Sequence, residues 1–276
     1  MQSYKLLFKI SFYNKPINNL IKTINNNIVL NKPLLITTIN ASFLVNAFKN
    51  KQFYNFLISN KLNLVDGVGV QLAAEYLNNL PKVNKFLKPF IYFYIGIKLG
   101  VDFLFFNKKL NYLKYRITGV FLTKKILRLC QNKGYSICII HKKNSLVSYT
   151  ELFNYLLANY TGLKFTIYLT TGNERSLKSV PTSDVYLCTL GEVTQENLLS
   201  KMYKSRSKGI YIGIGSTFDV LTHKISSIPK FFKVKGLEWL YRLVTRPKRV
   251  KKIFRSAILF PLMVYKYSLN SNKISN

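Results

Sequence analysis

The stretch PLLITTINASFLVNAFKNKQFYNFLISNKLNLVDGVGVQLAAEYLNN, residues 33–79, decides the fold. Two short runs rich in aliphatic and β-branched residues, at 33–40 and 62–65, are each followed by a longer amphipathic stretch. Short strands that alternate with helices are the pattern of a parallel sheet flanked by helices. The sequence therefore predicts an α/β fold, in which ligands bind at the carboxyl ends of the strands.

The same alternation resumes after residue 116. It predicts helices at 118–132, 145–160, 194–205 and 216–221 and strands at 135–140, 164–169, 184–190 and 209–215. Between the two halves lies a very aromatic insertion, residues 81–115, which Lys88, Lys98 and Asp102 interrupt. Its apolar runs are well short of the ~20 residues that a transmembrane helix requires. We therefore expect the insertion to lie at a membrane interface or in the core, and not to cross a membrane.

The charge of the chain indicates the class of its partner. There are 42 Lys and Arg against 10 Asp and Glu, a net charge of +32, which favours nucleic acid, an anionic membrane or a phosphorylated substrate. A composition rich in Asn, Ile and Lys, as a biased genome produces, accounts for part of this excess. A nucleic-acid-binding protein is the main rival to an enzyme, although the sequence contains no recognisable nucleic-acid module.

The sequence predicts two units, an α/β domain of residues 1–235 and a basic helical appendage of residues 236–276. Between Arg242 and Arg255 the appendage has seven cations and no acid. We expect Pro247 to divide it into two amphipathic helices. The first can equally well dock on the domain or contact a membrane, whereas the second favours an anionic membrane surface. Their apolar faces comprise Leu237, Leu240, Tyr241 and Val244, and then Val250, Ile253, Phe254, Ala257 and Ile258.

Cysteine and histidine exclude several kinds of site. The three cysteines have no CxxC spacing and suit no disulfide framework, which favours a reducing compartment. The first residues lack the apolar core of a secretory signal, so we expect a protein on the cytoplasmic side. His141 and His223 are far apart and are expected at the surface or in loops, so neither a histidine metal site nor a Ser/His/Asp triad is supported.

Asp66 is the strongest candidate among the carboxylates. It follows the run LNLV and precedes Gly67-Val68-Gly69, so it is predicted at the carboxyl end of a strand, where a base can meet a bound ligand. The same position suits an N-cap of the next helix equally well.

Three further segments carry candidate binding groups. Thr38 and Asn40 end the preceding strand, as ligand-binding residues or as turn residues. Residues 213–219, GIGSTFD, suit either phosphate binding at a helix N-terminus or a plain capped turn. Gln195 could hydrogen-bond a sugar or phosphate, but an isolated Gln-Glu pair, Gln195-Glu196, is more typical of a helix start.

Taken in order, six segments resemble the WecG/TagA/CpsF glycosyltransferase family, and the resemblance covers about residues 30–256. The run GLEWLYRL, which precedes the basic stretch, is the most specific of them. The six segments are Thr38-Ile-Asn40-Ala, Asp66-Gly-Val-Gly, Arg116-Ile-Thr-Gly119, Leu190-Gly191 with Gln195-Glu196, GIGSTFDVL at 213–221, and GLEWLYRLVTRP at 236–247.

The resemblance implies a Rossmann-like fold and an inverting transferase that needs neither metal nor cofactor. The implied donor is UDP-N-acetylmannosamine or its uronic acid, and the implied acceptor is undecaprenyl-diphosphate-linked N-acetylglucosamine at the cytoplasmic face of the membrane. Carried over by position, Asp66 is the base and Arg242 and Arg249 face the diphosphate. The substrate-pocket positions are Thr38, Asn40, Arg116 and Gln195. A homo-oligomer is a possible assembly. A catalytically inactive, membrane-bound scaffold of the same fold is an alternative function.

Overall fold

The computed structural model describes residues 4–106, 108–172, 179–245 and 250–270. The strands are β1 Tyr4–Leu7, β2 Ile10–Tyr13, β3 Leu34–Ile39, β4 Leu62–Val65, β5 Ser136–Lys142, β6 Lys164–Thr170, β7 Val185–Cys188 and β8 Ile210–Gly213. The helices are α1 Ile17–Val29, α2 Ala41–Lys49, α3 Lys51–Ser59, α4 Val68–Asn78, α5 Lys88–Phe105, α6 Gly119–Lys133, α7 Tyr149–Asn159, α8 Thr194–Ser205, α9 Thr217–Leu221, α10 Lys230–Val234, α11 Glu238–Thr245, α12 Val250–Phe254 and α13 Phe260–Asn270, and a π turn, Arg255–Leu259, joins the last two.

The eight strands form one sheet in the order β1-β2-β4-β3-β8-β7-β5-β6. β1 pairs with β2 antiparallel, and the other neighbours pair in parallel. Helices flank the sheet, and the predicted Rossmann-like α/β fold is confirmed. β4, β7 and β8 are buried along their whole length, which is why they read as apolar runs and not as alternating patterns.

The N-terminal hairpin was not apparent from the sequence. β1 and β2 are joined by Phe8 and Lys9, which both have positive φ, 53° and 61°. Two-residue hairpin turns of this geometry usually contain Asn or Gly, and their absence here removes the sequence signal. In this conformation Phe8 is buried among aromatic side chains. Its ring centroid lies 4.8 Å from that of Tyr267.

The amphipathic stretch after β3 forms two helices, α2 and α3. Asn50 separates them with an extended backbone, and its side-chain oxygen accepts a hydrogen bond from the amide of Phe53 at 3.0 Å. An asparagine that ends one helix and caps the next allows the chain to turn between them. The hydrophobic periodicity alone does not reveal this break.

The C-terminal helical segment, residues 250–270, packs on the helices beside the β1-β2 end of the sheet. Phe260 and Val264 are buried in a cluster with residues of α2, α4 and α5, and the Tyr76 hydroxyl lies 3.1 Å from the Ser268 hydroxyl oxygen. Residues 246–249, including Pro247, are outside the described residues, so the predicted break between two helices at Pro247 stays a prediction. The boundary between residues 235 and 236 stays a prediction.

The aromatic insertion contains one long helix, α5. Tyr92 and Leu99 are buried, whereas other large apolar side chains of the helix face outward. In the ranges that the structure describes, no helix is both long enough and apolar enough to cross a bilayer.

Asn63 is a buried polar centre that connects β4 to its surroundings. It is fully buried on β4, and the two N–H groups of its amide are shared among the carbonyls of Ser11, Leu57 and Asn60, whose oxygens lie 2.9, 3.0 and 2.9 Å from the nitrogen. Its side-chain oxygen accepts from the Thr37 hydroxyl at 2.5 Å. These bonds tie β2, β3 and the end of α3 to one side chain.

We expect Asn63→Leu to lower the free energy of unfolding by about 3 kcal/mol, because buried hydrogen-bond partners would lose their counterpart. Asn55→Leu, at an exposed position of α3, is the matched control and should change it by no more than about 0.5 kcal/mol. Urea unfolding followed by circular dichroism measures both. Equal stabilities of the two variants would contradict this role for Asn63.

Candidate active site

The carboxyl ends of β4, β3 and β8 lie side by side and form the edge on which the candidate residues meet. Two backbone hydrogen bonds join the loops there. The amide of Asp66 donates to the carbonyl of Ile39 at 2.9 Å, and the amide of Ile117 donates to the carbonyl of Val65 at 2.8 Å. The chain before α6 is therefore held against the turn that contains Asp66.

Asp66 follows β4 directly, as the sequence predicts, and its side chain is half-buried. Its Oδ1 accepts a hydrogen bond from the amide of Gly119, the first residue of α6, at 3.0 Å. The N-cap of α4 is Gly67, so the alternative of Asp66 as that cap is wrong. Oδ2 has no hydrogen-bond partner among the described residues. One carboxylate oxygen is thus fixed at a positive helix end, and the other is available to a ligand.

Thr38 and Asn40 lie beside Asp66 but have different surroundings. The Thr38 hydroxyl donates to the carbonyl of Gly213 at 3.1 Å and so bridges β3 and β8. Asn40 caps α2 by accepting from the amide of Phe43 at 3.1 Å. A Cβ atom at Gly67 would lie 3.4 Å from the Cβ of Asn40, which places Asn40 against the Asp66 turn.

Gln195 is buried between two loops at the same edge. Its Oε1 accepts from the amides of Gly215 and Gly191, at 3.0 and 3.3 Å. A Cβ atom at Gly213 would lie 2.5 Å from the Gln195 side-chain nitrogen, so a side chain at position 213 would displace Gln195 from this place. Because the Gly215 amide already binds Gln195, the turn after β8 serves first to position Gln195. Ser216 makes no capping hydrogen bond to α9.

Glu238 joins the C-terminal segment to this edge. Its Oε1 accepts from Arg116 at 3.1 Å, and its Oε2 accepts from Arg242, one helical turn later, at 3.5 Å. All three side chains are partly exposed. Just before them, Gly236 has φ +67°, and a Cβ atom there would lie 2.7 Å from Phe103. Arg116 and Arg242 are therefore brought together, whereas Arg249 lies outside the described residues.

A cavity of about 370 Å³ opens beside this arginine pair. Four cations line it: Lys109, Lys114, Lys108, which is paired with Asp102, and Arg116, which is paired with Glu238. Among the described residues no carboxylate belongs to the lining. Val68, next to the Asp66 turn, and Phe103 complete part of its wall. A cavity with such a lining suits a ligand with several negative charges.

The comparison with protein families covers both this edge and the basic appendage of residues 236–276, which we call the tail. The family model described as glycosyl transferase WecG/TagA/CpsF family matches residues 5–86 and 99–274. The chain belongs to the WecG/TagA/CpsF glycosyltransferase family. It is accordingly a glycosyltransferase of cell-surface polysaccharide synthesis, with a sugar donor and an acceptor as substrates. The match extends beyond residues 30–256 at both ends and omits residues 87–98, which lie mostly in α5.

The basic tail of this WecG/TagA/CpsF glycosyltransferase contacts the domain through two of its cations. Lys252 forms an ion pair with Glu192, which also accepts from the side chains of Ser42 and Asn46 at 3.2 and 3.1 Å. Arg255 donates to the side-chain oxygen of Asn46 at 3.0 Å. These contacts hold α12 and the π turn that follows it against α2 and the loop before α8.

The two histidines differ in environment. His223 lies exposed in a turn, as predicted. For His141 the predicted surface or loop position is wrong, because it is buried in β5. Its ring nitrogens lie 2.8 Å from the Val147 carbonyl oxygen and 3.2 Å from the Thr189 hydroxyl. A strand that extends to Lys142, past the predicted end at residue 140, takes His141 into the core.

Glu196 is a buried carboxyl that position alone did not reveal. It lies in the first turn of α8, as an ordinary helix-start residue does, yet it is only 1% exposed. Its Oε2 accepts from the amide of Val193 at 2.8 Å, and its Oε1 accepts from Gln195 at 2.6 Å. Burial raises the pKa of Glu196 to about 8, despite these hydrogen bonds, which lower it.

This pKa predicts how stability depends on pH. Between about pH 4.5 and 8 the folded protein retains the proton on Glu196 and the unfolded chain loses it. The unfolded state then binds fewer protons, so the contribution of Glu196 to stability falls as pH rises. We expect Glu196→Gln to remove this decline, so that the variant gains stability relative to wild type towards pH 8. Denaturant unfolding across this range measures the difference, and parallel curves would contradict it.

Proposed function

We propose that this glycosyltransferase moves N-acetylmannosamine, or a related sugar or uronic acid, from a UDP-sugar to undecaprenyl-diphosphate-linked N-acetylglucosamine. The observation that carries the proposal is the Arg116–Glu238–Arg242 contact, which brings the basic tail to the sheet edge that holds Asp66. The cation-lined cavity beside this contact supports a diphosphate-bearing substrate.

Asp66 acts in this proposal as the general base. Its carboxylate takes the proton of an acceptor hydroxyl while that oxygen attacks the anomeric carbon of the donor sugar. The bond between that carbon and UDP breaks on the opposite face, and the configuration inverts. The hydrogen bond from Gly119 at 3.0 Å holds the carboxylate in place, which supports a positioned base.

Arg116, Arg242 and Arg249 stabilise the diphosphate charge in this proposal. A guanidinium has five N–H donors, so contact with Glu238 leaves Arg116 and Arg242 donors for phosphate oxygens. Arginine contacts of this kind would let the reaction proceed without a metal. Thr38, Asn40 and Gln195 line the sugar pocket.

The tail also supports a peripheral position on the cytoplasmic face of the membrane. The outer side of residues 250–270 has a row of exposed apolar side chains at four-residue spacing. The row comprises Val250, Phe254, Ile258 and Leu262. Cations flank this row, as in helices that lie on anionic bilayers. The lipid acceptor would meet the enzyme at that surface.

A UDP-sugar panel with a prenyl-diphosphate-linked N-acetylglucosamine acceptor tests the proposal. We expect UDP release and an elongated lipid with a UDP-N-acetylmannosamine-type donor, at the same rate with and without EDTA. Asp66→Asn should lower kcat by about 10²- to 10⁴-fold, the usual contribution of a general base. The amide oxygen of Asn can still accept from Gly119, so the fold is preserved.

Asp184→Asn is the matched control, because this carboxylate also accepts from a backbone amide, that of Ser136 at 2.8 Å, but lies just before β7, at the opposite edge of the sheet. It should keep wild-type turnover. If no donor is consumed, the enzyme proposal fails in favour of an inactive scaffold. If salt-sensitive binding to RNA or DNA occurs without any turnover, the nucleic-acid rival is favoured. If Asp66→Asn retains the wild-type rate, the base assignment fails.

Arg242→Gln tests the role of the tail in the site. Deletion of the tail would uncover the cluster around Phe260 and Val264, so a point substitution is the cleaner test. We expect kcat/KM for the lipid acceptor to fall by about 10- to 100-fold, because one charged hydrogen bond contributes about 1.5–3 kcal/mol. Lys251→Gln, an exposed position of the same tail with the same loss of charge, should have a much smaller effect. Equal losses in both variants would contradict a specific contact.

A further inference from the structure

The greater part of helix α5 lies outside the residues that the family model matches. Residues 87–98 lie outside the family match, and α5 extends from Lys88 to Phe105. A row of large apolar side chains along this helix is at least 41% exposed. Their spacing of three or four residues puts them on one side of the helix. The row comprises Phe90, Tyr94, Ile97, Val101 and Phe105.

The opposite side of α5 is fixed to the rest of the protein. Tyr92 and Leu99 are buried in the cluster that also contains residues of α4 and α13. The Tyr265 hydroxyl donates to the carbonyl of Pro89 at 3.0 Å, and Lys88 donates to the carbonyl of Leu269 at 2.9 Å. The exposed row is therefore the outer face of a firmly packed helix. Soluble proteins seldom expose a contiguous apolar surface of this kind without a partner for it.

The charges around this row match an anionic partner. The only acid among residues 76–105 is Asp102, and it forms an ion pair with Lys108. Lys82 and Lys85, before the helix, and Lys98, within it, are exposed. Aromatic and aliphatic side chains bordered by lysines are typical of helices that lie in the plane of an anionic bilayer, where the rings enter the headgroup region and the ammonium groups meet lipid phosphates.

We propose that the outer face of α5 inserts into the surface of an anionic lipid bilayer, as a membrane contact separate from that of the tail. α5 also provides Phe103, which lines the cation-rich cavity and contacts Gly236 at the start of the tail. Docking through α5 would thus hold this cavity at the lipid surface. This consequence rests on the proposed function, whereas the docking itself does not.

A second copy of the chain fits this face less well. In a symmetric dimer the face would meet its own counterpart, so two surfaces that both carry exposed lysines, Lys82, Lys85 and Lys98, would be brought together. Like charges at such short range oppose association. An anionic bilayer instead neutralises the lysines and covers the apolar row.

Vesicle binding by the full-length protein tests the proposal. The test variant replaces Phe90, Tyr94 and Ile97 by Ser, and the control replaces Val29, Leu146 and Leu157, which are equally exposed but distant in sequence. On vesicles of phosphatidylcholine with phosphatidylglycerol, we expect the test variant to bind at least about tenfold more weakly and the control to bind like wild type. A third variant, with Gln at Lys82, Lys85 and Lys98, should bind these vesicles more weakly than wild type, while the cations of the tail preserve part of the preference for phosphatidylglycerol.

Three readouts keep the interpretation clear. Unfolding midpoints equal to wild type show that the variants are folded. Turnover on a water-soluble, short-prenyl acceptor should be unchanged in the α5 variant, which separates loss of docking from failure of the proposed chemistry. Wild-type vesicle binding by the α5 variant would overturn the proposal. So would a wild-type dimer in sedimentation that the α5 variant abolishes, since a second copy would then be the partner.

Discussion

The carboxylate of Glu238 joins the tail to the sheet edge of the candidate site, because it contacts two arginines from distant parts of the sequence. Arg116 follows the insertion and belongs to the chain beside Asp66, whereas Arg242 belongs to the tail. Without the negative charge between them, the two guanidinium groups would repel each other, and one contact between tail and sheet edge would be lost. The ion pair of Lys252 with Glu192 and the bond of Arg255 to Asn46 secure the tail further along.

The strands and helices of the sheet could be predicted because a parallel sheet buries whole strands and its helices bury one face, and both requirements leave periodic patterns. The exceptions have physical causes. The turn at Phe8 and Lys9 uses residues without the usual hairpin signal, and the Asn50 cap divides a stretch whose apolar periodicity is continuous. His141 is buried because strand β5 extends further than its apolar run.

The position of Asp66 at the carboxyl end of β4 could be predicted from the apolar run before it, and its role as the base stays a proposal. Its contact with Gly119, the burial of Gln195 against Gly213 and the sharing of Glu238 could not. Each joins residues whose proximity depends on tertiary packing, for which a single sequence has no periodic signal. Glu238 nevertheless has a signal in the sequence, because it is an acid within the run GLEWLYRL of a strongly basic tail. The exposed face of α5 likewise became visible only when the buried side of the helix was known.

The central claim is that the tail and the sheet edge form a single site through Glu238. A double-mutant cycle with Arg116→Gln and Arg242→Gln, followed through kcat/KM for the lipid-linked acceptor, tests it most directly. Residues that share a partner are coupled, so we predict an interaction energy of about 0.5–3 kcal/mol between the two substitutions. Losses that simply add in the double variant would contradict the claim, since the two arginines would then act independently.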